Sequence, residues 1–140
     1  MKSITGKFFM TEKNKKLKED FYFGNVLQVA EKLLGKIFVY NNKEINKKLS
    51  ARIVEVEAYD GSTDEAAHTF NGKTNRNKIM FERGGYLYVY FTYGIHYCAN
   101  IVTGKEGEGT AVLLRAMEPL SGIDYFKSQR FPDKKNEKLK

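Results

Sequence analysis

The chain has 140 residues, with 24 Lys and Arg against 17 Asp and Glu, two His and one Cys. That length suits one domain. A single cysteine excludes an internal disulfide, and the absence of any long apolar stretch or leader-like core leads to the expectation of a soluble intracellular protein in a reducing compartment, cytoplasmic in a bacterium or nuclear in a eukaryote. The net charge of +7 favours an anionic partner, nucleic acid above all, although a solvated lysine-rich surface gives the same number.

Residues 1–20 are polar and lysine-rich, with Lys13, Lys15, Lys16 and Lys18 around Leu17, and read as a loose basic arm. Phe21-Tyr22-Phe23 supplies an apolar anchor. Asn25 then caps a helix in which Val26, Leu27, Val29, Ala30, Leu33 and Leu34 recur at helical spacing, and Gly35 ends it. Residues 36–40 form a β-branched and aromatic strand, turned at Asn41-Asn42-Lys43. In a second strand, 51–59, Val54, Val56 and Ala58 suit a core face, which leaves Ile53, Glu55, Glu57 and Tyr59 together on the other, with two carboxylates and a tyrosine in a row on the open side. Residues 60–78 are loop-like and carry Asp64-Glu-Ala-Ala-His68 and Asn75-Arg-Asn77.

The densest stretch is 86–100, with five tyrosines, Phe91 and His96. It reads as two antiparallel strands turned at residues 92–95, where Gly94 is free to take a positive φ. Tyr86, Tyr88 and Tyr90 share one face; Leu87, Val89 and Phe91 share the other. Residues 104–109 are a flexible, exposed loop. A further strand, 110–117, sets Leu113, Arg115 and Met117 against Val112, Leu114 and Ala116. Residues 121–130 suit a short helix, and the lysine-rich residues 134–140 read as disordered. There is no internal repeat and no linker between two cores.

Three features point to chemistry. Glu55 and Glu57, with Cα atoms about 6.5–7 Å apart on one face, fit a general base, but equally two solvated glutamates. Arg115 interrupts an apolar strand, where a guanidinium calls for an anionic partner such as Glu57. Tyr93 sits at a hairpin tip with little core to join, so the hairpin is either an aromatic core element or a wedge and platform for flat rings. The acidic residues with His68 also admit a divalent-metal nuclease, though with no diagnostic spacing.

Several runs together resemble the alkyladenine (3-methyladenine) DNA glycosylase family of the mammalian type. They are Arg52-Ile-Val-Glu-Val-Glu-Ala-Tyr59, Asp64-Glu-Ala-Ala-His68, Thr74-Asn-Arg-Asn77 with Met80-Phe81, Tyr88-Val-Tyr90 with Tyr93-Gly94, Asn100, and Val112-Leu-Leu-Arg-Ala-Met-Glu-Pro119. The resemblance runs in order from about Phe21 to Pro119. It implies a single α+β domain, a curved antiparallel β-sheet with flanking helices and a protruding β-hairpin. It divides the chain into a basic arm (1–20), a glycosylase-like domain (21–130) without the family's C-terminal part, and a disordered basic tail (131–140).

The resemblance further implies base excision repair on double-stranded DNA containing damaged purines: 3-methyladenine, 7-methylguanine, hypoxanthine and ethenoadenine. It implies a monomer that needs no cofactor and no metal. By position, Glu57 matches the general base and Arg115 the arginine beside its water. Tyr59, His68 and Tyr90 match the rings around the flipped base, Tyr93 the intercalating wedge, and Asn100 the asparagine that disfavours guanine. Binding of lesions without excision is the alternative.

Overall fold

The computed structural model describes residues 6–13 and 15–131, so the tail expected to be disordered lies almost wholly outside the described residues. Among the described residues seven antiparallel strands form one sheet: β1 (Gly6–Glu12), β2 (Lys15–Lys16), β3 (Ile37–Asn42), β4 (Lys47–Asp60), β5 (Leu87–Thr92), β6 (His96–Thr103) and β7 (Thr110–Ser121). Their order across the sheet is β2-β1-β3-β4-β7-β6-β5. Helices α1 (Val26–Leu33) and α2 (Ile123–Arg130) accompany it, giving the α+β fold expected. Among the described residues no helix is long and apolar enough to cross a membrane.

The α1 helix follows its sequence signals. Asn25 Oδ1 accepts from the Leu27 N–H at 3.0 Å, and Gly35 turns the chain at φ 79°. Val26, Val29, Ala30 and Leu33 are buried, an i, i+3, i+4, i+7 stripe, while Leu27 and Leu34 face outward. That stripe packs with Ile53, Ile101, Val112 and Met10 into the main core, joined by Val56, Ala58, Leu87 and Leu114. A smaller cluster on other side chains of the same strands holds Met80, Tyr88, Val102 and Ala111.

Four local expectations change, the first being the strand at 110–117, which runs on through Glu118-Pro119 to Ser121 with Pro119 paired to Ala51. Residues 6–12, inside the stretch read as a loose arm, pair along β3 from Gly6↔Asn42 to Thr11↔Ile37, and Met10 is core. The strand at 51–59 starts earlier, at Lys47, and its parity is not uniform. Leu49, Ala51 and Ile53 are buried, Val54 is half-exposed, and Val56 and Ala58 then face the core. A register irregularity between Ile53 and Val56 causes this switch. The loop at 104–109 is exposed only in its middle. Gly104 and Gly109 are buried, and a Cβ on Gly109 would meet the Phe81 ring at 2.9 Å.

Candidate active site

Glu57 lies in a row that crosses four strands: Glu57 pairs with Leu113, Leu113 with Asn100, and Asn100 with Tyr88. Directly paired residues point to the same side, so these four side chains share one face, spread over about 14 Å. Leu113 and Asn100 form its floor, both buried.

At the β4 end, Tyr59 Oη donates to Glu57 Oε2 at 2.7 Å, and Arg115 Nε stands 3.3 Å from Glu57 Oε1 and 3.9 Å from Glu55 Oε1. The partner expected for Arg115 is therefore Glu57, with Glu55 as a second. These side chains are about half-exposed, so the ion pairs add at most about 1 kcal/mol to stability; what they fix is orientation. Sharing its proton with a carboxylate pushes the Tyr59 phenol up to about 12, with burial as the second cause.

At the β5 end stand three rings. Tyr90 lies 4.5 Å from His68 and 5.4 Å from Tyr88, centroid to centroid, and His68 meets Tyr88 edge-on at 6.3 Å. Burial and then a hydrogen bond with the Cys98 thiol push the Tyr90 hydroxyl up to about 12. Cys98 is directly opposite Tyr90 on β6 and is half-buried. Burial, and then the Arg76 charge, hold the His68 imidazole below its usual value.

Tyr93 and Gly94 occupy the centre of the β5–β6 turn with φ 51° and 70°, and Ile95 N donates to Thr92 O at 3.3 Å. Two positive φ values make a type I′ turn. Tyr93 is 89 % exposed, the most exposed large hydrophobic side chain among the described residues.

The structure thus brings Glu57, Arg115 and Tyr59 into direct contact, joins His68 to Tyr90, places Asn100 on the floor between the two groups, and sets Tyr93 apart at the tip. The family resemblance assigns no role to Tyr88 or Glu55. Tyr88 shares its face with Tyr90, and that parity is the signal that identifies it. Its hydroxyl and the Asn100 Nδ2 are both buried without a hydrogen-bond partner among the described residues. Among the described residues no three His, Cys, Asp or Glu side chains group as a metal ion requires, and Glu55, Glu57 and Asp64 do not form such a set.

Fold and site together define a single-domain α+β protein whose carboxylate–arginine–phenol cluster faces a wall of aromatic rings. The model of the methylpurine-DNA glycosylase family matches residues 20–140. Over 116 residues the chain is 54 % identical to a protein of Chlorobaculum parvum provisionally named a 3-methyladenine DNA glycosylase, covering 83 % of this chain and 55 % of that protein. A Clostridium novyi protein of the same provisional name is 48 % identical over 127 residues, 90 % of this chain and 62 % of its own length. One from Alkaliphilus oremlandii is 52 % identical over 117 residues, 83 % and 57 % respectively. The chain belongs to the methylpurine-DNA glycosylase family, and it spans little more than half the length of these curated relatives.

Proposed function

We propose that this chain acts on duplex DNA as a monomer in the bacterial cytoplasm, takes a damaged purine rotated out of the helix, and hydrolyses its N-glycosidic bond. The observation that carries the reading is the Glu57 carboxylate, held by Tyr59 Oη at 2.7 Å and Arg115 Nε at 3.3 Å on the same sheet face as the ring cluster. A glycosidic carbon is unreachable inside a duplex, so the nucleotide must leave the stack at a cost of a few kcal/mol. Tyr93 recovers part of that cost by filling the gap, since one base–aromatic stack contributes about 1–3 kcal/mol.

The extruded purine lies between Tyr59 and the His68–Tyr90 pair. Water attacks the sugar C1′, a C–O bond forms and the C–N bond breaks, with its electron pair leaving on the purine. Glu57 takes the proton from water and its charge offsets the positive charge developing on the sugar. Arg115 holds the carboxylate and the water in register. A purine alkylated on N3 or N7 already carries positive charge, so it departs as a neutral base and is attracted to electron-rich ring faces. Hypoxanthine and ethenoadenine, the neutral members of the same substrate class, each also take up one proton from solvent as they leave, so that the departing base is neutral. Asn100, on the floor, opposes the 2-amino group of normal guanine.

Incubation with a duplex carrying one hypoxanthine or ethenoadenine, followed by alkali, is expected to give a strand break at that position; Glu57→Gln is expected to keep binding and lose the break. No break from a folded sample, or equal breakage by the Gln variant, rejects the assignment. Binding without excision is the second reading. The Glu57 side chain is 42 % exposed and Arg115 49 %, wetter than a site that excludes bulk water. Lesion-selective binding with no base release supports it.

A further inference from the structure

The run Thr74-Asn-Arg-Asn77 has no part in the mechanism above, yet Asn77 is 5 % exposed and bonds through every polar atom of its side chain. Its Nδ2 donates to the carbonyl oxygens of His68 at 2.7 Å and Gly72 at 3.0 Å. Its Oδ1 accepts from Thr74 N at 2.6 Å, and its own N–H donates to Thr74 Oγ1 at 3.2 Å. One side chain therefore ties three points of the 60–78 loop. A second tie holds the residue after His68: Thr69, 3 % exposed, donates through Oγ1 to Gly109 O at 2.5 Å, at the start of β7. A Cβ on Gly61 would collide with that threonine and with Gly109, so the loop closes on itself without spare room.

His68 sits between the two ties. Its backbone carbonyl is held by Asn77 and its neighbour by Gly109, just before β7, and its ring meets Tyr90 at 4.5 Å. A loop side chain has no sheet ladder to place it; here buried polar bonds do that work. We propose that Asn77 is a positioning residue for His68: its amide fixes the loop backbone so that the imidazole lies against Tyr90 and completes the ring wall for the extruded purine. The last clause rests on the proposed function; the placement of the ring does not.

The test uses two readouts. The first is the proton spectrum of His68, whose ring signals are displaced by the Tyr88 and Tyr90 rings; exposed His96, the other of the two histidines, is the internal reference. In Asn77→Ala the His68 signals are expected to collapse toward those of His96. The second is affinity for a duplex with one ethenoadenine, expected to weaken about tenfold in Asn77→Ala, which is about 1.4 kcal/mol. In a His68→Ala background the same substitution is expected to cost nothing further. Unmoved His68 signals, or a full additional loss in the His68→Ala background, overturn the proposal. If Asn77→Ala loses its dispersed amide spectrum, Thr74→Val replaces it: it removes only the acceptor of the Asn77 N–H, and a partial displacement of the His68 signals supports the proposal while none overturns it. A wild-type chain that ignores the lesion rejects the pocket reading alone, and the His68 signals still decide the role of Asn77.

Discussion

Tyr93→Asn separates a wedge from a core aromatic by the sign of its effect on stability. Tyr93 is held at φ 51° as the first central residue of a type I′ turn and is 89 % exposed. Left-handed backbone costs a residue with a Cβ about 1–2 kcal/mol, and Asn tolerates that region better than Tyr. The ring has almost no intramolecular contact to lose. The substitution is therefore expected to leave stability unchanged or raise it by about 0.5–1 kcal/mol, equivalent to a melting temperature roughly 2–4 °C higher. A 5 %-exposed tyrosine of the same hairpin gives the contrast: Tyr88→Ala is expected to cost about 3–5 kcal/mol. On DNA the order reverses. Losing one base–aromatic stack, about 1–3 kcal/mol, weakens affinity for a lesion-bearing duplex by about five- to 150-fold. Scanning calorimetry and fluorescence anisotropy with an ethenoadenine duplex read the two effects. A fall of several degrees in Tyr93→Asn, or unchanged affinity, refutes the wedge.

Glu57→Gln removes the main cause of the raised Tyr59 phenol, so its ionisation is expected to move from about 12 back toward the ordinary tyrosine range; an alkaline titration of the labelled ring that stays near 12 contradicts the 2.7 Å bond. His68 titrates below its unfolded value, so near pH 6.5 the unfolded chain binds more protons than the folded one. Stability should therefore rise with pH through that window and be lost as pH falls, a trend that His68→Ala should flatten in denaturant melts at several pH values. Above pH 10 the sign is opposite: Tyr22, Tyr59 and Tyr90 hold their protons to about 12, so stability is expected to decline between pH 10 and 12. Gly61→Ala places a Cβ against Thr69 and 2.8 Å from Gly109 O, and is expected to cost about 1–3 kcal/mol in urea unfolding; a neutral result means the loop yields there.

The parts of the site that were legible in sequence lie on regular strands. In 87–92 strict alternation separates Tyr88 and Tyr90 from Leu87, and the structure keeps that separation between its two clusters. Arg115 amid apolar residues announced a carboxylate partner, and Glu57 stands 3.3 Å from it. Helix α1 was legible from its cap, its stripe and Gly35. What was hidden depends on contacts far along the chain. The β1 strand lies among lysines whose composition resembles a solvated arm, and only pairing with β3 gives it order. Asn77 looks like any loop asparagine until its amide reaches the carbonyl of His68, nine residues back. The Tyr88 hydroxyl, buried without a partner among the described residues, has no sequence signature at all.

The irregularity in β4 explains why the face bearing Glu57 exists. Up to Ile53 the buried positions are odd: Leu49, Ala51 and Ile53. Carried on without interruption, that parity would drive Glu55, Glu57 and Tyr59 into the main core and expose Val56 and Ala58, an arrangement no apolar core tolerates. The ladder instead runs Ile53↔Met117, Glu55↔Ala116, Val56↔Leu114, passing over Val54 on β4 and Arg115 on β7. The skipped Val54 becomes half-exposed, the parity switches, and Val56 and Ala58 reach the core while Glu57 and Tyr59 turn to the other face. The skipped Arg115 lies beside the same break, freed from regular pairing, and its Nε stands within 4 Å of carboxylate oxygens of both Glu55 and Glu57. One local defect therefore aims the carboxylate, supplies its cation and keeps the core apolar. The core and the Glu57 cluster depend there on the same few residues, so repairing the break would improve the ladder and dismantle the cluster.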